Sequence, residues 1–456
     1  MNINNQIVSS YNNLIDEFIM DFGYGQHWFE EYCGDINQQI RIHKILDTKE
    51  YLAGQHAING RADEMFNGKR FVPRKIVLQY AKRLIEFSTA YLVGNKITIT
   101  GNEEVVNQIK KVYKNGYERM DFDVVHNVNK FGNAYEYNYI KDGKIVSKLF
   151  DSADSFPVFN VDGDYIAFIE HYTVSNVSFY NVYYPERVEK YSNAGGQLYL
   201  KGTYQNLSGL PIIYKNDNPL DINYGRSDLE DYKNILDSME DLMSKSVDAF
   251  YKYITGIPVL QGQQLKGDQG LPTEVVGGGL VLDSDANFKF ENNEFNHDAF
   301  ETLYKHLMTS LLDISNTPGV VMGKVDISNL SETSIKLLFS LSNLKAMMSE
   351  KYIKFSMMQR LDQIRKLLEL QGIVFSDEQF NTIDIVFAFA MPQSGSEIIN
   401  NLGKLHDMGA ISIESILGQS PYTTDVGGEL ERLNKEGTGN RVDANSKIID
   451  NENMEM

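Results

Sequence analysis

Apolar residues in this chain recur at two different periods, and the switches between them divide it. After Pro73, the residues Val77, Tyr80, Leu84, Phe87 and Tyr91 fall three or four positions apart and stop at Gly94, which predicts an amphipathic helix closed by a glycine. Ile97 to Thr100 then alternates as a strand does, and two further helical stretches, Glu103 to Lys114 and Phe122 to Lys130, lead to Gly132. From there to about Tyr214 the period shortens to two. Tyr135, Tyr137 and Tyr139 alternate with polar residues and Asp142-Gly143 supplies a turn. Runs at Tyr165 to Thr173, Ser178 to Tyr184 and Leu198 to Tyr204 are rich in β-branched and aromatic residues, so this region reads as mostly antiparallel sheet. Asn59 to Pro73 is turn-rich and reads as a flexible link or loop.

At Ser227 the period returns to that of a helix. Ser227 and Glu230 have the spacing of a capping box, and Leu229, Tyr232, Leu236, Met239, Met243, Val247, Phe250 and Ile254 make one stripe of a helix roughly 40 Å long. Next, a stretch rich in glycine and glutamine, Ile257 to Asn296, has strand-like segments (Ile257 to Leu260, Val275 to Leu282, Phe288 to Phe290) around Gly277-Gly278-Gly279. A second helix carries Phe300, Leu303, Leu307, Leu311 and Ile314 and closes at Pro318, so the two helices are expected side by side with the excursion at their tip. Ser315 to Leu330 has no period. Beyond it, Glu332 to Leu370 reads as one helix of about 60 Å, with Leu337, Leu341, Leu344, Met348, Tyr352, Phe355, Met358, Leu361, Ile364 and Leu368 forming its buried stripe. A strand-like run (Ile383 to Phe389), helices at Ser396 to Met408 and Ser412 to Leu417, and a polar tail from about Gly437 complete the chain.

Composition narrows the classes. At 456 residues, 42% hydrophobic and 23% charged, the sequence has the usage of a folded, soluble chain of more than one unit. No apolar run approaches 18 residues and the start is polar, so neither membrane insertion nor secretion is expected. The single cysteine, Cys33, precludes an intramolecular disulfide. A net charge of −19 argues against a broad phosphate-gripping surface, while leaving room for DNA that slides past without sticking. The segment from Gly372 onward, with five basic and fourteen acidic residues, is especially acidic.

Catalytic signatures are missing. Gly323-Lys324-Val325 lacks the hydroxyl that a phosphate-binding Walker loop places after its lysine, and the triple glycine is followed by strand-like residues rather than a helix. The eight histidines never take the spacing of a zinc-binding helix pair, and Asp162-Gly-Asp164 and Asp283-Ser-Asp285 lack the remainder of a calcium loop. No metal or cofactor is expected.

Several stretches carry a resemblance. Ala90-Tyr91-Leu92-Val93-Gly94, Phe131-Gly132-Asn133-Ala134-Tyr135, Asp154-Ser155-Phe156-Pro157-Val158-Phe159, Asn218 through Glu230, and Ile314-Ser315-Asn316-Thr317-Pro318 follow one another in the order seen in a known family. With the sequence of elements around them, from about Lys69 to Met408, the chain resembles the portal, or head-to-tail connector, proteins of tailed double-stranded DNA bacteriophages, particularly those of Gram-positive hosts.

The resemblance implies an α+β subunit of a ring, twelve copies in the virion at the portal vertex, assembled in the host cytoplasm and serving DNA packaging, retention and ejection. It implies an N-terminal region (1–68), a β-rich α/β wing (69–226), stem helices (227–254 and 298–314), a clip (255–297), a tunnel loop (315–330), a long wing helix (331–371), a helical crown (372–436) and a tail (437–456). Met322, Lys324 and Asp326 are the tunnel-loop candidates for meeting DNA. Glu240, Asp241, Lys305 and His306 are the stem candidates for facing the channel, and Gln261, Gln263, Gln264 and Lys266 the clip candidates for contacting a terminase or a head-tail adaptor. Capsid and scaffolding proteins are the other implied partners, with double-stranded DNA passing through without sequence specificity and no membrane involved. Two alternatives stand beside this reading: a hydrolase holding a metal on Asp162, Asp164 and Glu170, and a different ring or scaffold protein of a phage.

Overall fold

The computed structural model describes residues 3–66, 69–253, 257–261, 287–291, 296–323, 332–392, 395–420, 422–423 and 425–436. The chain forms two compact units, Met1–Val325 with Phe339–Ala390, and Asp326–Leu338 with Met391–Met456.

The larger unit opens with helices α1 (Ile3–Phe22), α2 (Trp28–Gly34) and α3 (Ile36–Leu52), which hydrophobic periodicity does not foreshadow. They bury only a few large side chains each, and those contacts lie far along the chain. The turn-rich stretch is not a loose link: it holds a short hairpin, β1 (Glu64–Phe66) with β2 (Lys69–Phe71), and then runs extended. Next come α4 (Tyr80–Val93), β3 (Thr98–Thr100), α5 (Glu103–Tyr113) and α6 (Tyr117–Phe131), close to the expected bounds.

The β-rich region consists of β4 (Asn133–Lys141), β5 (Lys144–Leu149), β6 (Ser155–Phe159), β7 (Tyr165–Val174), β8 (Val177–Tyr183), β9 (Arg187–Ser192), β10 (Tyr199–Gln205) and β11 (Ile212–Lys215). They form two antiparallel sheets, β10-β9-β8-β7-β6 and β11-β4-β5. Strand β7 is apolar on both faces because both are covered. Ala167 and Ile169 pack with Phe18, Trp28 and Phe29 of α1 and α2, while Phe168 packs with Tyr135 and Phe150 beside the second sheet.

Helix α7 (Leu229–Tyr253) follows, then β12 (Ile257–Gln261) and β13 (Asn287–Glu291), paired antiparallel, and α8 (His297–Ile314). The long helix expected from Glu332 to Leu370 is interrupted at Phe339. Its pieces, α9 (Glu332–Leu338) and α10 (Ser340–Leu370), belong to different units. A short α11 (Asp377–Phe380) and β14 (Asp384–Val386) follow, and β14 pairs with β3. Residues 372–390 therefore join the larger unit rather than the expected crown. The smaller unit holds α9, α12 (Gly395–Asp407), α13 (Ile413–Gln419) and a helical stretch, 426–436. Leu402 is buried there, whereas Leu405, Met408 and Ile413 are exposed.

Candidate functional site

Helices α7 and α8 lie side by side, as their stripes require. Leu236 and Met239 are buried with Met308 and Leu311, and Leu84 of α4 and Tyr51 of α3 close the same cluster. The start of α7 departs from expectation because no reciprocal capping box forms. Ser227 Oγ accepts from the Leu229 N–H (3.2 Å) but donates to the Lys130 carbonyl (2.6 Å), and the Glu230 carboxylate turns to Arg226, 3.6 Å away. The competing acceptor is tertiary. It joins two of the stretches quoted above, since Gly132 at φ +80° and Gly225 touch backbone to backbone so closely that a Cβ on either would collide with the other's carbonyl. Asn133 Oδ1 accepts from the Gly225 N–H (3.0 Å), and Asp228 N–H donates to the Asn129 carbonyl (3.0 Å).

The acids of α7 divide into two classes. Asp241 is half-exposed and pairs with Lys245 at 2.7 Å. Glu240, grouped with it as a channel-facing candidate, is fully buried and faces the other way. Its carboxylate Oε1 accepts from the Leu78 N–H (2.7 Å) and lies 2.7 Å from His56 Nδ1. One turn on, Ser244 Oγ accepts from the Ile76 N–H (3.0 Å), and after another turn Asp248 Oδ1 accepts from the Arg74 N–H (2.8 Å) while Oδ2 lies 2.8 Å from Arg61 Nη1. Alternate amides of an extended segment thus meet every fourth residue of a helix. The match is geometric, because two extended residues and four helical ones each advance about 6 to 7 Å. Burial raises the Glu240 carboxyl above the usual range.

On α8, Lys305 is exposed and pairs with Glu301 at 2.7 Å, and His306 is exposed. Gln261 is exposed at the end of β12, while Gln263, Gln264 and Lys266 lie outside the described residues. Met322 ends a 3-10 turn, Gly319–Met322, and Lys324 and Asp326 lie outside the described residues. The carboxylates of the hydrolase alternative are not gathered. Asp162 and Asp164 sit in an exposed turn, and Glu170 is held by Lys148 (2.6 Å) and Asn181 (2.9 Å).

Helix α10 corrects the largest expectation. In its first half the apolar stripe faces outward: Leu344 is 57% and Phe355 67% exposed, with Leu341, Met347 and Met348 exposed between and beside them. Small and polar residues face the protein instead. Ser342 Oγ donates to the Asn316 carbonyl (2.6 Å), Lys345 pairs with Asp228 (2.5 Å), Tyr352 OH donates to Asp217 (2.6 Å) and Ser356 Oγ to the Ile213 carbonyl (2.7 Å). In its second half, Met357, Leu361, Ile364 and Leu367 are buried around Arg360. That guanidinium, fully buried, joins Asp121 of α6 to Glu136 of β4 (2.8 Å), and Tyr214 OH donates to the same Glu136 at 2.6 Å. Burial outweighs the arginine at Asp121, whose carboxyl is pushed up to about 6.

A family model described as "Phage portal protein, SPP1 Gp6-like" matches residues 31–441. The portal protein of Bacillus phage SPP1 is 20% identical over 397 residues, which span 78% of this chain and 74% of that protein. Among solved structures, the neck of a native gene transfer agent particle computed with C12 symmetry is similar at a TM-score of 0.43 and 11% identity, covering 75% of this chain and 89% of the other. The neck of the empty particle computed with C6 symmetry is similar at 0.44 and 11%, covering 73% and 87%. With the family match extending over most of its length, the chain belongs to the SPP1 Gp6-like phage portal proteins, a structural component of the phage particle and not an enzyme.

Proposed function

We propose that this chain is one subunit of a ring, twelve copies in the particle, whose axial channel passes double-stranded DNA during packaging, retention and ejection. The observation that carries the reading is the outward stripe of α10. Leu341, Leu344, Met347, Met348 and Phe355 form an apolar face too large to leave in water, and a neighbouring subunit would cover it. In this reading α7 and α8 are the stem, β12 and β13 the base of a clip that meets terminase and the head-tail adaptor, and residues 315–330 the tunnel loop. The β-rich region and α10 make the wing. The half-exposed Asp241 and the exposed Lys305 and His306 are the candidates for lining the channel; the pairing of Asp241 with Lys245 and of Lys305 with Glu301 keeps contacts with phosphate weak and salt-sensitive.

Electron microscopy of the purified protein, with light scattering on the same sample, tests the proposal. Rings with an axial channel and roughly twelve-fold symmetry are expected; a chain that remains monomeric even with its capsid and scaffolding proteins would contradict it. Deleting residues 319–326 is expected to leave rings intact and to impair DNA packaging or retention.

A further inference from the structure

We propose that the outward face of α10 is a coiled-coil seam for one helix of the neighbouring subunit, and that Lys351, set within that seam, fixes its register by pairing with a carboxylate on that helix. The inference rests on the ring proposed above and names what covers the α10 face. Leu341, Leu344, Met348, Lys351 and Phe355 follow one another at steps of three, four, three and four, the spacing at which one helix offers knobs to the holes of another. All five are exposed. A strand, with its period of two, matches neither step, whereas a helix crossing α10 at about 20° matches both. The stripe also continues past Phe355. Gln359, Asp362 and Lys366 form one wall of a groove of about 980 Å3, and Leu210, Pro211 and Ile222 belong to the other. Ile222 is 87% exposed and Phe355 67%, so two large apolar side chains stand open along the path such a helix would take.

Lys351 is the exception within the apolar stretch. Lys345 and Lys354 of the same helix pair with Asp228 (2.5 Å) and Asp384 (2.7 Å), while Lys351 is exposed and has no carboxylate partner among the described residues. In the single chain its ammonium is solvated. Once a helix covers Met348 and Phe355, one turn to either side, that ammonium loses water and requires an anion. A second copy supplies one, since the chain has 62 acidic residues against 43 basic ones and carries exposed helix carboxylates such as Asp47 on α3 and Asp298 and Asp313 on α8. A single charged residue in a seam costs stability but excludes shifted pairings, in which it would face an apolar side chain. In a closed ring the register of this contact sets the angle between subunits, and with it the number that closes the ring.

Zero-length carbodiimide coupling tests the proposal, because it joins an amine only to a carboxylate already in contact with it. Rings are assembled from a mixture of isotope-labelled and unlabelled full-length chains, coupled, digested and read by mass spectrometry. Lys351 is expected to be linked to an Asp or Glu on a helix of the other copy, with the link absent from isolated chains. Lys351→Glu is expected to leave the single chain folded, since the position is exposed, and to weaken assembly by about a hundredfold. Lys351→Leu is expected to keep rings but to spread their subunit number in native mass spectrometry. Rings in which Lys351 is unlinked, linked within its own chain, or linked to a carboxylate outside any helix overturn the seam while leaving the ring standing. Unweakened assembly of Lys351→Glu, or a single unchanged subunit number in Lys351→Leu, does the same. A chain that never forms rings overturns both.

Discussion

Helices α7 and α10 depart from the amphipathic rule in opposite directions. On α7, Glu240 and Asp248 are buried although they are acids; on α10, Leu341, Leu344 and Phe355 are exposed although they are apolar. The difference lies in what each helix packs against. The inner neighbour of α7 includes an extended segment with no strand to take its amides, and acceptor side chains one turn apart substitute for that strand. The first half of α10 lies against backbone carbonyls and acids near Ile213, Asn316 and Asp228, so hydroxyl and ammonium groups point inward and its apolar stripe is left for another surface. Burial of charge on one helix is a device of the single chain. Exposure of leucine on the other is, in the function proposed above, a device of an assembly.

Substitutions that separate these roles should differ in size. The largest effect is expected for Arg360→Met, which leaves Asp121 and Glu136 without their cation in a buried site. A loss of about 3 to 5 kcal/mol in denaturant titration is expected, and a loss under 1 would mean the network is not held as described. On α7, Asp248→Ala removes the acceptor of Arg74 and the partner of Arg61, at a cost of about 2 kcal/mol by the same method.

Asp121 should make a smaller, pH-dependent contribution. Its carboxyl is raised in the folded state, so the stability it adds is complete below about pH 4 and is lost as pH rises through about 6. Thermal melts from pH 4 to 7 should show that decline in the unaltered protein and a flatter profile in Asp121→Asn. The smallest effect on folding is expected for Leu341→Asp with Leu344→Asp, within about 0.5 kcal/mol per site, because both positions are exposed in the single chain. Sizing of the same protein should show assembly lost; intact rings would mean that another surface joins the subunits.

Local signals made much of the fold legible. The period-two tyrosines of β4, the helices α7 and α8, and the paired ends of the excursion appear where the alternation placed them, although Phe250, Leu303 and Ile314 of the two helical stripes are exposed. What could not be read depends on distant partners. Ser227 looks like half of a capping box, but its hydroxyl finds the Lys130 carbonyl, 97 positions earlier. Nothing local to Glu240 distinguishes it from Asp241; one meets His56 and Leu78, the other Lys245. The stripe from Leu337 to Leu368 joined two faces, since hydrophobicity alone does not show that Ser342, Ser356 and Arg360 have buried partners. The helices α1 and α2 escaped because the aromatic rings they bury meet a sheet more than a hundred residues away, and α3 because its Tyr51 is buried against α4 and α7.

The claim that the outward face of α10 is an assembly surface can be tested by thiol labelling. Cys33 is buried, so a cysteine introduced as Leu344→Cys or Phe355→Cys is the principal reactive thiol. In the isolated chain it should react rapidly with a maleimide, and in purified rings it should be protected by tenfold or more. Equal reactivity in rings and single chains would contradict the claim.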